Sequence, residues 1–506
     1  MKKVLFFFTL LIMLSNVAFT QTAILHLKFK NSTATSCHIW IPAITFNFDY
    51  LKKGSFNIGL TDGKGVHKFN IAKPQFVYLT CSNGDADSAK TYKFALYISP
   101  GDNIIFKADF KDINNGVVVT GKGSNNNQPL LSAVANVNIN AMSGDTLPDR
   151  VIAVLKQHQA TIKILLNKYV ALYKPTADFV KNEKINIQYD VAYQYFDFKG
   201  NNQYKIGKAY TRNESKWNAI QDSLFSITKI NNHGALTAAS YDLLLVEFLR
   251  REKERLWRES RIHPEAFFRK WYYSDVNTGQ KIFEEDEQNL LQEKIINYYF
   301  TNELAEYMYG ALFDDALGEH KPNNLVKIFD GFKRKHPRSK YVKWYGQTID
   351  RIRYQESRAL SADIIFVADN GAKLNSLNDL LKLAKGKTIL LDMWGTWCLP
   401  CRNEITNNVP AIKTHFKNKS LSYFYVANHD LAHKDEWKKL IAYYDLKGTH
   451  ILANDSLTND IMTKVKGTGY PTYVIIKKDG TYELSKAGYP MNRDVLFKEI
   501  EEALAL

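Results

Sequence analysis

Cysteine is scarce: only Cys37, Cys81, Cys398 and Cys401 occur in 506 residues. That excludes a small scaffold stapled by disulfides. No Lys/Arg-rich block is present either, although Lys and Arg outnumber Asp and Glu by 67 to 52 and leave a formal net charge of +15. Basic residues scattered in this way describe a mildly basic surface, so no nucleic-acid partner is expected. Past the first twenty residues no run is apolar enough for a membrane helix, so no integral membrane segment is expected in the mature chain. The helical middle of the chain shows no repeat period. What is there is a globular composition, 45% hydrophobic and 24% charged, in a length that suggests about three domains.

Residues 1–20 read as a cleavable signal peptide. Lys2-Lys3 supply the positive region, Val4 to Leu14 the apolar core, and Ala18-Phe19-Thr20 the cleavage region before Gln21. The apolar core is too short for a permanent anchor, and no cysteine stands at the cleavage point to carry a lipid. The expected location is the periplasm or cell envelope, where disulfides form.

Three patterns follow. Over residues 21–125, short alternating runs such as Ile24 to Phe29, Phe76 to Thr80 and Asn103 to Phe106 are separated by turn signals including Asn83-Gly84 and Pro100-Gly101-Asp102. They suggest a small antiparallel β-sandwich. Within it Cys37 and Cys81 sit at the edges of strand-like runs, either bridged or as two separate buried thiols. The polar stretch Gly121 to Asn127 reads as a linker or a tight loop. Over residues 126–360 the period becomes helical, with many Tyr, Phe and Trp, and predicts an irregular α-helical domain. Its Tyr-rich stretch, Tyr189 to Tyr195, reads as buried helix face or as a binding surface. From residue 361 to 506, strands and helices alternate, which implies an α/β layer with some parallel pairing.

Chemistry concentrates in that last region. The apolar run Thr388 to Trp394 reads as a buried strand, and Trp397-Cys398-Leu399-Pro400-Cys401 opens the helix after it. A thiol at a helix N-terminus faces unsatisfied N–H groups and the positive end of the macrodipole. Both favour the thiolate, the form that attacks disulfides. A cysteine one turn on is placed to resolve the mixed disulfide. Zinc would need two further ligands, and none stands nearby; a purely structural disulfide is the other alternative. His429 and His433 have the spacing of a shared metal face on a helix but lack a third ligand. No cofactor is expected.

With these residues the C-terminal region resembles the TlpA-like group of exported thiol–disulfide oxidoreductases, which share the thioredoxin fold. The resemblance implies that Cys398 is the exposed nucleophile and Cys401 the buried resolving thiol. It implies that Tyr470-Pro471, about 70 residues after the dithiol and just before the apolar strand Thr472 to Ile476, holds a cis proline against the cysteines. The Tyr470 backbone would then pair with an extended client. Asp392, six residues before Cys398, matches the family's buried carboxylate, which takes the proton of the resolving thiol; a partly exposed Asp at a strand end is the plainer reading. Glu404 matches a glutamate that tunes the thiols and orients the client, against a solvated helix carboxylate. Trp397, Leu399, Pro400, Tyr470 and Pro471 form the expected client surface. Two departures stand out. Leu399 replaces a small or polar residue, and Thr406 stands where a helix-kinking proline is frequent, with Pro410 further on.

The functional expectation is a disulfide reductase for protein clients, recharged by a membrane-borne thiol donor, with cytochrome c maturation as a candidate pathway. An oxidase or isomerase is the alternative enzyme. A non-enzymatic envelope protein that docks through its thioredoxin-like domain is the alternative from another class.

Overall fold

A computed structural model describes residues 21–506 except 43, 85–89, 132–141 and 143. The expected leader, residues 1–20, lies outside the described residues. The chain divides into two compact units, one ending at Asp315 and the other running from Ala316 to Leu506.

The first unit begins with eight strands: β1 (Gln21–Lys30), β2 (Ser36–Trp40), β3 (Ser55–Gly59), β4 (Lys64–Ile71), β5 (Gln75–Asn83), β6 (Lys90–Ile98), β7 (Asn103–Asp109) and β8 (Val118–Lys122). They form two four-stranded sheets, ordered β4-β1-β7-β8 and β3-β2-β5-β6. Alternation explains the layering: Ala23, Leu25, Leu27 and Phe29 of β1 are buried while their neighbours face outward. Those residues join Ile39, Val77, Leu79 and Leu96 of the other sheet in one core, which makes a sandwich. The pairing is not wholly antiparallel as expected, because β1 and β7 run parallel. Cys37 and Cys81 are bridged across neighbouring strands β2 and β5, with Cα atoms 4.8 Å apart, so the reading as separate thiols does not hold. Register explains the bridge: His38 faces Thr80, which leaves Cys37 and Cys81 opposite each other.

The helical region follows as α1 (Pro148–Tyr173), α2 (Ala177–Ile206), α3 (Lys208–Ile227), α4 (Ala239–Ile262), α5 (Pro264–Tyr272), α6 (Val276–Glu285), α7 (Asn289–Tyr299) and α8 (Asn302–Gly318). Residues Gly121 to Asn127 make a tight loop, not a free linker. Asn127 accepts from Tyr97 N at 2.6 Å and donates to Tyr97 O at 2.9 Å, and Asn126 accepts from Thr176 N at 2.8 Å. Tyr189 and Tyr195 are buried, the helix-face alternative of the two.

The second unit contains α9 (Leu325–Lys335), α10 (Lys340–Glu356), β9 (Ile364–Phe366), α11 (Leu377–Ala384), β10 (Thr388–Trp394), α12 (Leu399–His415), β11 (Leu421–Ala427), α13 (Lys434–Tyr444), β12 (Gly448–Leu452), α14 (Asp455–Val465), β13 (Thr472–Ile476), β14 (Tyr482–Leu484) and α15 (Arg493–Ala505). Its sheet is ordered β14-β13-β10-β11-β12-β9. β10 is central, parallel to β11 and antiparallel to β13, and every one of its residues is buried. Covered on both faces, such a strand reads as an unbroken apolar run. Two elements were not expected from the sequence, β12 and α14. β12 is only five residues long, starts at a glycine and carries the polar His450, so its strand signal is weak. Among the described residues no helix is long and apolar enough to cross a membrane.

Candidate active site

Strand β10 ends at Trp394, the chain turns through Gly395-Thr396-Trp397, and α12 begins at Leu399 with Cys398 as its N-cap. The glycine is required here, because a Cβ at Gly395 would run into the Trp397 indole. Cys398 Sγ accepts from Cys401 N at 3.2 Å, so the sulfur itself satisfies one of the helix's free N–H groups. Leu399 and Pro400 are half-buried in the first turn, where a proline loses no helical hydrogen bond. Cys398 and Cys401 form a disulfide.

In this oxidised pair Cys398 is 3% exposed and Cys401 1%. Both are buried, so Cys398 is not open to solvent as expected. Both sulfurs belong to a cluster with Trp394, Ile405, Tyr425 and Trp437, and Tyr470 packs against it. The Tyr470-Pro471 bond is cis. Register brings it to the dithiol: Thr472 of β13 faces Met393 of β10, so Tyr470-Pro471 arrives beside the end of that strand. Trp397, in contrast, is 52% exposed.

Two carboxylates lie on the flanking elements, Asp392 on β10 and Glu404 on α12. Asp392 is 4% exposed on the central strand, which removes the partly exposed alternative. Burial pushes its carboxyl up to about 8, and the negative charge of Glu404 adds to that rise. Asp392 Oδ1 has no hydrogen-bond partner among the described residues, and the side chain lines a cavity of about 10 Å³ with Tyr423, Tyr425 and Tyr473. Glu404 is buried, not solvated. Its oxygens accept from Asn408 Nδ2 and from Met491 N, the latter at 3.3 Å. The helix continues as one element through Thr406 and Pro410. Arg402, between the resolving cysteine and Glu404, is also buried and donates to His320 O at 3.2 Å.

Sequence reasoning missed the loop after β11. Asn428 and Asp430 are fully buried and grip the turn that carries Trp397. Asn428 N donates to Trp394 O at 2.9 Å, and Trp397 Nε1 donates to Asn428 O at 3.0 Å. Asp430 accepts from Thr396 N at 2.7 Å and from Thr396 Oγ1 at 2.6 Å. Burial raises the Asp430 carboxyl, and the two Thr396 bonds pull against it. A polar triplet at the end of an apolar strand was the available signal. The helical metal face suggested for His429 and His433 does not form, because His429 lies in this loop at a φ of 54°. The arrangement holds a dithiol at a helix N-terminus, a cis proline beside it and a carboxyl of raised pKa on the adjoining strand.

A family model described as thioredoxin-like matches residues 386–482. A thioredoxin-like protein of Bacillus subtilis is 32% identical over 130 residues, which are 25% of this chain and 68% of that protein. Among solved structures, a thioredoxin-family thiol:disulfide interchange protein from Chlorobium tepidum is 21% identical, with a TM-score of 0.21, over 24% of this chain and 83% of that one. The thioredoxin domain of a thiol-disulfide oxidoreductase from Bacteroides vulgatus is 22% identical, also at a TM-score of 0.21, over 24% of this chain and 84% of that one.

Proposed function

The chain belongs to the thioredoxin-like family through its C-terminal region, and we propose that it is a thiol–disulfide oxidoreductase that reduces protein disulfides in the periplasm or cell envelope. The observation that carries this reading is Cys398 at the N-cap of α12, bonded to Cys401 and accepting the Cys401 N–H. In the reduced protein that place favours a Cys398 thiolate.

The thiolate attacks one sulfur of the client disulfide, and the other leaves as a client thiolate. Cys401 then loses its proton to the Asp392 carboxylate and attacks Cys398 Sγ. The second client sulfur departs as a thiolate, and two electrons have passed from the dithiol to the client. A carboxyl near 8 is well matched to a thiol of ordinary pKa, about 8.5, so the proton moves with little driving force either way. A membrane-borne thiol donor restores the dithiol, since the compartment is otherwise oxidising. Export is supported by the leader-like residues 1–20, and cytochrome c maturation is the candidate pathway. We assign the redox domain to residues 361–506, the sandwich to 21–125 and the helical domain to 126–360, the last two selecting or positioning clients. Trp397, Leu399, Pro400, Tyr470 and Pro471 form the client surface around the dithiol.

Equilibration with graded mixtures of reduced and oxidised glutathione tests the direction. A potential near those of reducing thioredoxins, about −270 mV, is expected; one near −120 mV would make the protein an oxidase.

A further inference from the structure

The loop after β11 does more than hold the active-site turn. His429 sits between two fully buried residues, Asn428 and Asp430, yet its own side chain is 51% exposed. Its backbone is left-handed, at a φ of 54°, a conformation uncommon for a residue with a side chain. Both neighbours are bonded to Trp394–Trp397, so the imidazole is presented from a fixed base. Its ring centroid lies 6.1 Å from Trp397 and 6.4 Å from Tyr470, and those two rings are 5.8 Å apart and nearly perpendicular. The three rings close a triangle. One corner immediately precedes Cys398, and another immediately precedes the cis Pro471. Leu431, two residues on, is 55% exposed.

We propose that Trp397, His429 and Tyr470 form a three-ring seat for one bulky apolar or aromatic side chain of the client, next in sequence to the cysteine under attack, and that His429 sets this preference. The inference rests on the exchange reading above. A client sulfur that reaches Cys398 must carry its chain across Trp397 and Tyr470, so the residue beside it lies over the triangle. Aromatic rings held in fixed orientation, Tyr470 edge to face with both others and Trp397 tilted 51° to His429, offer an apolar side chain large contact at little entropic cost. The half-exposed indole and imidazole leave that surface open to solvent, with Asp455 Oδ1 3.6 Å from His429 Nδ1.

The test uses two peptides, each joined to glutathione through its cysteine, identical except for Phe or Ser beside that cysteine. The kcat/KM ratio of Phe to Ser peptide is measured for the full-length protein and for His429→Asn and His429→Phe. Asparagine tolerates the left-handed backbone and removes the ring, whereas phenylalanine keeps one. The wild-type ratio is expected to favour Phe, to fall about three- to tenfold in His429→Asn and to recover in His429→Phe. An unchanged ratio in His429→Asn, or no preference in the wild type, overturns the seat. Quenching of Trp fluorescence by disulfide-free versions of the two peptides gives a readout independent of chemistry. A wild type that reduces neither peptide but binds the Phe version in a His429-dependent way refutes the exchange reading and keeps the seat. Exchange with equal binding of both peptides does the reverse.

Discussion

Two disulfides of the same chain make an instructive pair. Cys37–Cys81 joins opposite positions on adjacent strands inside the sandwich, both 0% exposed and 44 residues apart in sequence. Cys398–Cys401 spans a separation of three residues at the start of a helix. The bond is the same, but the surroundings differ. The first is enclosed by aliphatic and aromatic side chains of both sheets. The second caps a helix N-terminus through Cys398 Sγ, with a raised carboxyl on the adjoining strand and the exposed Trp397 ring, itself packed against Tyr470, beside it. Reactivity therefore belongs to the environment, and stabilisation to the length of loop that the bond closes.

The sharpest way to break this contrast is to remove one sulfur from each pair. Cys398→Ser is expected to reduce turnover of a protein disulfide to the uncatalysed rate, while Cys37→Ala with Cys81→Ala leaves turnover as it was. Reductase assays under identical conditions check both. Next in size is stability. Closing a loop of this length is worth about 4 kcal/mol, so the Cys37/Cys81 double variant should lose roughly that much in urea unfolding, more than reduction of the short Cys398–Cys401 loop removes. A smaller effect is expected at the carboxyl. Asp392→Asn should slow the resolving step by about 10²-fold and let the mixed disulfide with Cys398 accumulate, as read by non-reducing gels after acid quench.

The finest comparison is one of pH. In the fold the Asp392 carboxyl keeps its proton to about 8, while an unfolded Asp releases it near about 3.9. Its contribution to stability is thus fully present below about pH 4 and is lost as the pH rises toward 8, with no further change above. The stability gained by Asp392→Asn should grow across that window and then level off, as measured by urea midpoints at stepped pH. Because the Glu404 charge helps to raise Asp392, Glu404→Gln should move the upper end of the window downward.

Legibility in the sequence followed physical locality. Sandwich strands β1, β5, β6 and β7, the helical character of the middle region and the strand–dithiol–helix unit were readable, since each rests on period or spacing within a few residues. β12 and α14 were missed because Gly448 and His450 dilute a five-residue strand that only its neighbours β11 and β9 define. The burial of Cys398 was misjudged because the residues that cover it come from other elements: Tyr425 from β11, Trp437 from α13 and Tyr470 from before β13.

By itself, the sequence determined the chemistry: two thiols one helical turn apart, at the point where an apolar strand gives way to a helix. Only the tertiary structure decided what surrounds them. The order of strands around β10 brings Asn428, His429 and Asp430 from the end of β11 to the Trp397 turn, and a contact across 87 residues hangs Met491 N on Glu404. Parallel pairing places the ends of distant strands at one edge of the sheet, and no pattern within a single segment records which ends will meet.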